Sequence, residues 1–395
     1  MSEGTMENVK PYRINIGPSH NATHHLMRVE ADIVGETIEY CECEIGYVHR
    51  CFEKMAEQMG WNQVITLTDR LNYCSAPLNN IGYCLAVEKL IGLEVPPRAV
   101  YLRTLFSELA RIFDHLLCVG ASLVDLGALT NFWYTFRERE QIYDLFEEVC
   151  GSRLTTTLTR VGGLFRDVKP GYEKRVREKT KRLAEAVDDV DNLITKNRIA
   201  IDRMRGVGPI SADDAKSYGF TGPCLRAAGV PYDVRKAAPY LLYGQLDFKV
   251  PLGKHGDCFD RYLVRMEEIR QSIHIVEQLL EGIPPGPVNV DNRYLTLPLK
   301  SEVHGNIEAL MNHFKLVMEG VRVPVGEVYG YTEAGNGELG FYLVSDGGKQ
   351  PYRIKVRPPC FAVWQAFPQM VKGHMIADVV AIMAGMNIIA GELDR

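Results

Sequence analysis

The stretch RAVYLRTLFSELARIFDHLLCVGASLVDL, residues 98–126, decides the fold, because its apolar residues recur with the period of an amphipathic helix. A short connection later, NFWYTFREREQIYDLFEEV, residues 131–149, continues with the same period, and Gly151 predicts where that helix ends. Long amphipathic helices with short connections indicate a helical bundle. Further helices are predicted over residues 76–93, 172–196, 260–280, 307–318 and 371–385.

Apolar and polar residues alternate on both sides of this bundle. YRINI and MRVEADIVGETIEYCECEIGYV, between Pro11 and Val48, predict an antiparallel sheet with a turn near Gly35-Glu36. From about Gly326 the alternation returns, with glycine-rich turns between the predicted strands. The fold class predicted is therefore α+β, mainly α, with a helical bundle flanked by an N-terminal antiparallel sheet and a C-terminal β-rich region.

Three regions follow from this pattern. We expect residues 1–60 to form an N-terminal β domain, residues 61–300 the helical bundle, and residues 301–395 an α/β region that closes on the bundle.

GNGELG, residues 335–340, fits the dinucleotide-binding pattern G-x-G-x-x-G, but that pattern needs a helix next, and here the strand-like FYLVSD follows. We interpret these glycines as a hairpin turn and expect no NADH site on this chain.

The formal net charge of −5 argues against nucleic acid as a partner, because phosphate binding needs a concentrated basic surface. The longest apolar stretches, residues 115–133 and 375–391, are interrupted by Asp125 and Asp378, which would be costly inside a bilayer. We therefore expect a soluble or peripheral protein whose membrane contact comes through partner subunits.

Ten cysteines are scattered along the chain, which favours free thiols in a reducing compartment over a disulfide framework. Cys41 and Cys43 flank one residue of a predicted strand, so their side chains should lie on one face. With Cys51 and Cys74 they could compose an iron–sulfur or zinc site, but the spacing matches no established ligand pattern. Core thiols are the preferred interpretation.

A histidine cluster lies in GPSHNATHH, residues 17–25, a turn-like segment between two predicted strands. Loops held on rigid sheets are where functional side chains concentrate. His20, His24 and His25 are therefore candidate functional residues, with a purely structural role as the alternative.

Blocks along nearly the whole chain carry a family resemblance: GPSHNATHHLMR, IGYVHRCFEK, DRLNYCS, RTLFSELARIFDHLL, LVDLGALTNFWYTFREREQIYDLFE, GDCFDRYLVRMEEIRQS, FYLVSDGGKQPYR and GELDR. In this order they resemble the 49-kDa subunit of NADH:quinone oxidoreductase, respiratory complex I. That family shares its fold with nickel–iron hydrogenase large subunits, so the resemblance implies a hydrogenase-large-subunit-like fold.

The hydrogenase alternative fails on ligand chemistry. Those enzymes hold nickel and iron with two C-x-x-C pairs, because such metals require soft thiolates. Asn72 and Ser75 stand at the first pair of positions, and Ile389 and Glu392 at the second. We therefore expect no metal bound by this chain.

The resemblance implies a quinone head-group site in place of the metal. In this family a histidine and a tyrosine hydrogen-bond the two ends of the quinone, and they correspond to His24 and Tyr73. An aspartate that pairs with the histidine corresponds to Asp125. Two arginines beside the terminal [4Fe–4S] cluster, which is held by a partner subunit, correspond to Arg50 and Arg70. For Arg70, a surface ion pair with Asp69 is the alternative role.

The chemistry suits these residue types. Reduction of a quinone builds negative charge on both oxygens, so each oxygen needs a proton donor, and a tyrosine hydroxyl and a histidine can serve. A carboxylate beside His24 would favour the imidazolium and fix its orientation. We hypothesise that proton loss from His24 leaves Asp125 without its counter-charge and so starts the signal to the membrane partners.

The chain departs from the family at four positions. Asn21 replaces a proline and His25 a glycine in the first loop, so the conformation of that loop is expected to differ. Cys51 replaces a glycine near the presumed cluster. Many relatives have a histidine where this chain has Thr155, and threonine does not titrate near neutral pH. The cluster potential is therefore predicted to be nearly independent of pH, as would suit a low-potential quinone such as menaquinone.

The resemblance leaves several points open. It implies partners that comprise the iron–sulfur subunit, other peripheral-arm subunits and a membrane-arm subunit at the quinone channel. It also implies a position on the cytoplasmic face of the inner membrane, or the equivalent side of an organelle membrane. NADH, reduced ferredoxin or a deazaflavin could each supply the electrons, and the quinone could be ubiquinone or menaquinone. A scaffold subunit of a related ferredoxin- or hydrogen-linked complex, without quinone chemistry, is the alternative function.

Overall fold

The computed structural model describes residues 10–20, 23 and 25–395. An N-terminal antiparallel sheet has the strand order β1-β2-β3, and its second turn lies at Gly35-Glu36, as predicted. Cys41 and Cys43 both pack against the hydrophobic core, which confirms that they share a face. The strands are β1 (Tyr12–Ile16), β2 (Arg28–Val34) and β3 (Thr37–Glu44).

Most of the remaining chain is helical. The helices as far as residue 282 are α1 (Phe52–Ala56), α2 (Ile65–Thr68), the 3₁₀ turn Tyr73–Ser75, α3 (Ala76–Ile91), α4 (Pro97–Asp125), α5 (Leu129–Cys150), α6 (Tyr172–Ile194), α7 (Arg198–Met204), α8 (Ala212–Ser217), α9 (Gly222–Ala227), α10 (Val234–Ala237) and α11 (Cys258–Gly282). Two short strands, β4 (Thr159–Arg160) and β5 (Gly163–Leu164), form a separate ribbon. The bundle expected from the sequence is present.

Helix α4 is the centre of this bundle, because most of its residues between Leu102 and Gly120 are buried. It packs against α3, α5 and α11. Proline is compatible with its first turn, where the missing N–H has no partner within the helix in any case. Helix α5 ends at the predicted position, where Gly151 adopts a φ of 81° that favours glycine.

A second three-stranded antiparallel sheet covers α3, and its order is β6-β7-β8. Ala334 pairs with Gly337 across the turn, so the sequence GNGELG forms a hairpin, as predicted. The remaining elements are α12 (Lys300–Gly305), α13 (Ile307–Met318), β6 (Gly326–Ala334), β7 (Gly337–Ser345), β8 (Arg353–Arg357), α14 (Pro359–Gln365), α15 (Phe367–Val371), α16 (Ile376–Met386) and α17 (Ala390–Asp394).

The helix predicted over residues 371–385 is wrong at its beginning. Helix α15 ends at Val371 and α16 begins at Ile376, and Gly373 between them has a φ of 81°. The backbone N–H of Ile38 in β3 donates to the carbonyl oxygen of His374 at 2.9 Å, and Gly373 donates to Ile38 at 2.8 Å. Pairing with the edge of the N-terminal sheet therefore replaces the helical hydrogen bonds of this segment.

The C-terminal residues are bound to the N-terminal region. The Asp394 carboxylate accepts hydrogen bonds from the backbone N–H groups of Gly46, at 3.0 Å, and Val48, at 2.8 Å. The backbone carbonyl oxygen of Asp394 lies 2.6 Å from Nδ1 of His49. The largest hydrophobic cluster includes residues from Met27 to Leu393. The three-part division at residues 60 and 300, and the detailed likeness to a hydrogenase large subunit, stay predictions.

Candidate functional site

A cavity of about 390 Å³ lies between the 3₁₀ turn, α4, α5 and the segment around α16 and α17. Its lining is mainly apolar, as is usual for a pocket that binds a small organic molecule. Two of the predicted site residues, Tyr73 and Asp125, line it together. The other lining residues are Leu26, Met27, Cys74, Leu117, Cys118, Ala121, Ser122, Phe132, Phe136, Arg139, Leu154, Met383, Ala384, Asn387, Ile388, Ile389 and Ala390.

Tyr73 begins the 3₁₀ turn, where the Asn72 side chain accepts a hydrogen bond from the backbone N–H of Cys74 at 3.1 Å. Gly391 packs so closely that an added Cβ would lie 2.7 Å from the carbonyl oxygen of Leu71. The described residues include no hydrogen-bond partner for the Tyr73 hydroxyl. Burial, aided by the nearby thiol of Cys74, raises the pKa of Tyr73 to about 12, while the positive charge of Arg50 acts in the opposite direction. The phenol is therefore protonated at neutral pH and able to donate.

Asp125 is the last residue of α4, and its side chain is exposed toward the cavity. A carboxylate at a helix C-terminus lies at the negative end of the helix dipole, where an anion is disfavoured. His24, the predicted partner of Asp125, lies outside the described residues, as does Asn21. The pairing of Asp125 with His24 therefore stays a prediction.

The two arginines predicted to lie near the cluster are adjacent to each other. Arg50 donates from Nη2 to the carbonyl oxygen of Arg70 at 2.9 Å, and both side chains are exposed. Arg70 also forms the ion pair that was considered as its alternative role, with 2.9 Å between its Nη1 and Oδ1 of Asp69. Burial raises the pKa of Asp69 to about 6 in spite of this neighbour. The ion pair with Asp69 leaves part of the Arg70 side chain accessible to solvent, since that side chain is 47% exposed.

The four residues that the family resemblance sets against the hydrogenase cysteines lie in two segments that pack on each other. Asn72 and Ser75 are buried in the 3₁₀ turn, and Ile389 and Glu392 are buried in the segment that packs on it. Glu392 accepts a hydrogen bond from the backbone N–H of Cys360 at 2.9 Å. Burial raises the pKa of Glu392 to about 7. Within the described ranges, no group of three or more His, Cys, Asp or Glu side chains is arranged to hold a metal ion.

Two departures from the family are located at strained backbone positions. His25 has a φ of 62° and Cys51 a φ of 56°, both in the left-handed region that glycine adopts without a steric penalty. Both are positions at which the family resemblance implies glycine, and the backbone at each has a conformation that favours glycine. Thr155 is half-buried, and its carbonyl oxygen accepts a hydrogen bond from Ser152 at 3.0 Å.

Arg139 is a cavity residue that the sequence alone did not single out. Its pattern FRERE, residues 136–140, looks like the polar side of an amphipathic helix. The structure instead buries Arg139 to 9% exposure against the cavity, while Arg137 stays exposed. Its position one helical turn after Phe136, in a run that also contains Phe132, is the only signal that could have indicated this.

A second cavity, of about 430 Å³, is lined by residues that include Arg160, Phe165, Leu316 and Gln350. None of the predicted site residues within the described ranges lines it.

The neighbouring α13 exposes a row of apolar side chains, among them Ile307, which is 77% exposed. Among the described helices, none combines the length and apolar character that a membrane span requires.

Comparison with known proteins identifies the family. Residues 125–395 match the family model described as "Respiratory-chain NADH dehydrogenase, 49 Kd subunit". An NADH-quinone oxidoreductase protein of Bdellovibrio bacteriovorus is 55% identical over 394 residues, which cover 100% of this chain and 70% of that protein. The matching NADH-quinone oxidoreductase protein of Leptospira biflexa is 51% identical over 381 residues, or 96% of this chain and 94% of that protein. The NADH-quinone oxidoreductase protein of Myxococcus xanthus is 50% identical over 382 residues, which cover 97% of this chain and 92% of that protein. The chain therefore belongs to the 49-kDa subunit family of respiratory-chain NADH dehydrogenase, the NADH-quinone oxidoreductase of these bacteria.

Proposed function

We propose that this chain forms the quinone head-group site of a complex-I-type enzyme, next to a terminal [4Fe–4S] cluster that is held by a partner subunit. The observation that carries the proposal is the Tyr73 phenol, which faces an apolar cavity that Asp125 also lines. The relatives are named as NADH-quinone oxidoreductase proteins, which supports quinone as the substrate. The substrate is ubiquinone or menaquinone, and its reduction is coupled to proton translocation by membrane-arm subunits.

The proposed site residues would divide the chemistry between them. Tyr73 keeps its proton at neutral pH, because burial raises its pKa, and it donates that proton when negative charge develops on one quinone oxygen. His24 serves the other oxygen, and Asp125 holds the imidazolium until the proton leaves. The electrons would come from a cluster in the partner subunit, and the positive charges of Arg50 and Arg70 would stabilise its reduced form.

The same assignment implies the surroundings of the chain. Arg50 and Arg70 are exposed, which leaves their guanidinium groups accessible to an iron–sulfur partner subunit. The membrane-arm subunit would deliver the lipid-soluble quinone to the cavity. The chain is then a peripheral membrane protein on the cytoplasmic face of the inner membrane, or the equivalent side of an organelle membrane, and it is active only within the complex.

Removing one hydroxyl tests the proposal. In the intact complex, Tyr73→Phe should lower the rate of quinone reduction by about a hundredfold or more, the usual contribution of a general acid. Reduction of a water-soluble artificial acceptor upstream of the quinone should keep its rate. Tyr101→Phe makes the same chemical change in α4, away from the cavity, and should leave both rates unaltered. Full quinone reductase activity in Tyr73→Phe would contradict the assignment and favour a scaffold role.

Two further measurements address the coupling and the cluster. Asp125→Asn should slow turnover with little loss of assembly, and a variant with full rate and full coupling would exclude the charge-signal hypothesis. Because Thr155 does not titrate in this range, the cluster potential should change little with pH. A redox titration that shows a proton-linked slope around neutral pH would contradict that expectation.

A further inference from the structure

Arg139 has an unusual environment for a buried charge. Its guanidinium carbon lies 4.2 Å from the ring centroid of Phe113, 4.9 Å from that of Phe136 and 5.2 Å from that of Tyr143. The side chain is 9% exposed, and it lines the same cavity as Tyr73. Three aromatic rings therefore fix the guanidinium at the cavity wall through cation–π contacts.

This guanidinium has no acceptor within the described ranges: no hydrogen bond and no ion pair is formed there, and its Nε is buried without a partner. The other buried arginines in those ranges behave differently, because each donates to carboxylate or carbonyl oxygens. They are Arg103, Arg111, Arg226, Arg235, Arg261 and Arg265.

A buried cation without an acceptor is costly, because it has left water without gaining hydrogen bonds in return. Cation–π contacts offset part of this cost but leave the N–H donors unused. Other residues in the bundle show that this protein supplies acceptors where an arginine is structural: Arg103 has both oxygens of Glu88 at 2.8 and 2.7 Å. Arg139, with these donors unused, lines a cavity that is large enough for an organic molecule.

We propose that Arg139 is an anion-binding residue of this cavity, which donates hydrogen bonds to the quinone oxygen that carries negative charge. The inference rests on the proposed function and extends it. A one-electron donor in the partner subunit would be oxidised as the quinone is reduced, and the first electron would make the quinone an anion until a proton binds. The second electron and two protons complete the hydroquinone. A fixed guanidinium lowers the energy of the anionic state more than that of the neutral quinone, since a charge-assisted hydrogen bond is the stronger one.

Two related probes separate anion binding from simple packing. The first is 1,4-naphthoquinone, which is neutral, and the second is 2-hydroxy-1,4-naphthoquinone near pH 8, where its hydroxyl group is ionised. Calorimetric titration of the intact complex should show tighter binding of the ionised probe. Arg139→Gln should weaken the ionised probe by about tenfold or more, as expected for loss of one charge-assisted hydrogen bond, and change the neutral probe little. Arg177→Gln, at an exposed position on α6, should change neither.

The variants distinguish the possible failures. Equal weakening of both probes in Arg139→Gln, or an unchanged preference for the ionised probe, would overturn the proposal. If Arg139→Gln does not assemble, Arg139→Lys carries the test, because it keeps the charge and loses the planar stacking. A retained preference for the ionised probe in Arg139→Lys supports anion binding, and equal affinities for the two probes contradict it. The proposed function fails separately if Ala121→Trp, which fills the cavity, leaves the binding of both probes intact.

Discussion

Replacement of Glu392 by glutamine should make the unfolding free energy less dependent on pH. Glu392 is fully buried, and Asp114 is one of the groups that disfavour its negative charge, whereas the backbone N–H of Cys360 and the charge of Arg357 favour it. Burial is the largest effect, and the pKa rises from 4.5 to about 7. The folded state therefore holds a proton that the unfolded chain releases at a lower pH.

The size of the effect follows from linkage. A shift from 4.5 to about 7 corresponds to about 3 kcal/mol between the protonation states, at about 1.4 kcal/mol for each pKa unit. Below pH 4.5 Glu392 is protonated in both states and costs nothing. Between pH 4.5 and 7 the unfolded chain binds fewer protons, so stability falls as the pH rises, and above about pH 7 the full penalty applies.

Urea unfolding of the full chain between about pH 5 and pH 8 measures this effect. Glu392→Gln removes the charge and keeps an oxygen for the N–H of Cys360, so its stability relative to the native chain should rise with pH by up to about 3 kcal/mol. The difference between the two chains cancels the contribution of Asp69, whose pKa is also raised. Glu302→Gln, at an exposed site on α12, controls for the loss of one carboxylate. Parallel pH profiles of the native chain and Glu392→Gln would refute the reasoning.

Substitutions at three other sites, two of them with a comparison variant, test the energetics of the fold, each by its denaturation midpoint. Cys51→Gly should stabilise the protein by about 1 kcal/mol relative to Cys51→Ala, because a φ of 56° is unstrained only for glycine; equal stability would contradict this. Glu88→Gln should cost about 3 to 5 kcal/mol, since it leaves Arg103 buried beside a neutral group, and a loss below about 1 kcal/mol would be inconsistent with a buried ion pair. Gly222→Ala should cost more than about 2 kcal/mol, as its Cβ would lie 2.4 Å from a Cα of the adjacent hairpin, whereas Gly35→Ala, with open space around it, should cost about 1 kcal/mol. Similar losses at both glycines would exclude a steric cause.

The sequence predicted those elements whose pattern is local. Helix α13 has the predicted bounds, Ile307–Met318, and the glycines of GNGELG form a hairpin because a strand follows them. The break between α15 and α16 could not be predicted, since it depends on hydrogen bonds to Ile38, which is distant in sequence. Local patterns carry no information about such pairing.

The candidate site was predictable in part. Tyr73 and Asp125 came from the family resemblance, and the structure places both at one cavity. Arg139 was missed, because a charged residue in a polar pattern indicates solvent exposure unless the rings that cover it are known. The rings that cover Arg139 belong to Phe113 on α4 and to residues in neighbouring turns of α5. The burial of Arg139 can therefore be seen only once the two helices are packed together.

The hydrogen bonds between Asp394 and residues 46–49 have a consequence for synthesis on the ribosome. The loop that holds Arg50 is fastened by a residue almost the whole chain length away, and the wall behind Tyr73 consists of residues 387–391. Neither can take its final form until residues 387–394 have been synthesised, and loop closure over such a distance slows folding. A nascent chain would therefore form its central helices before this loop and this cavity wall are complete.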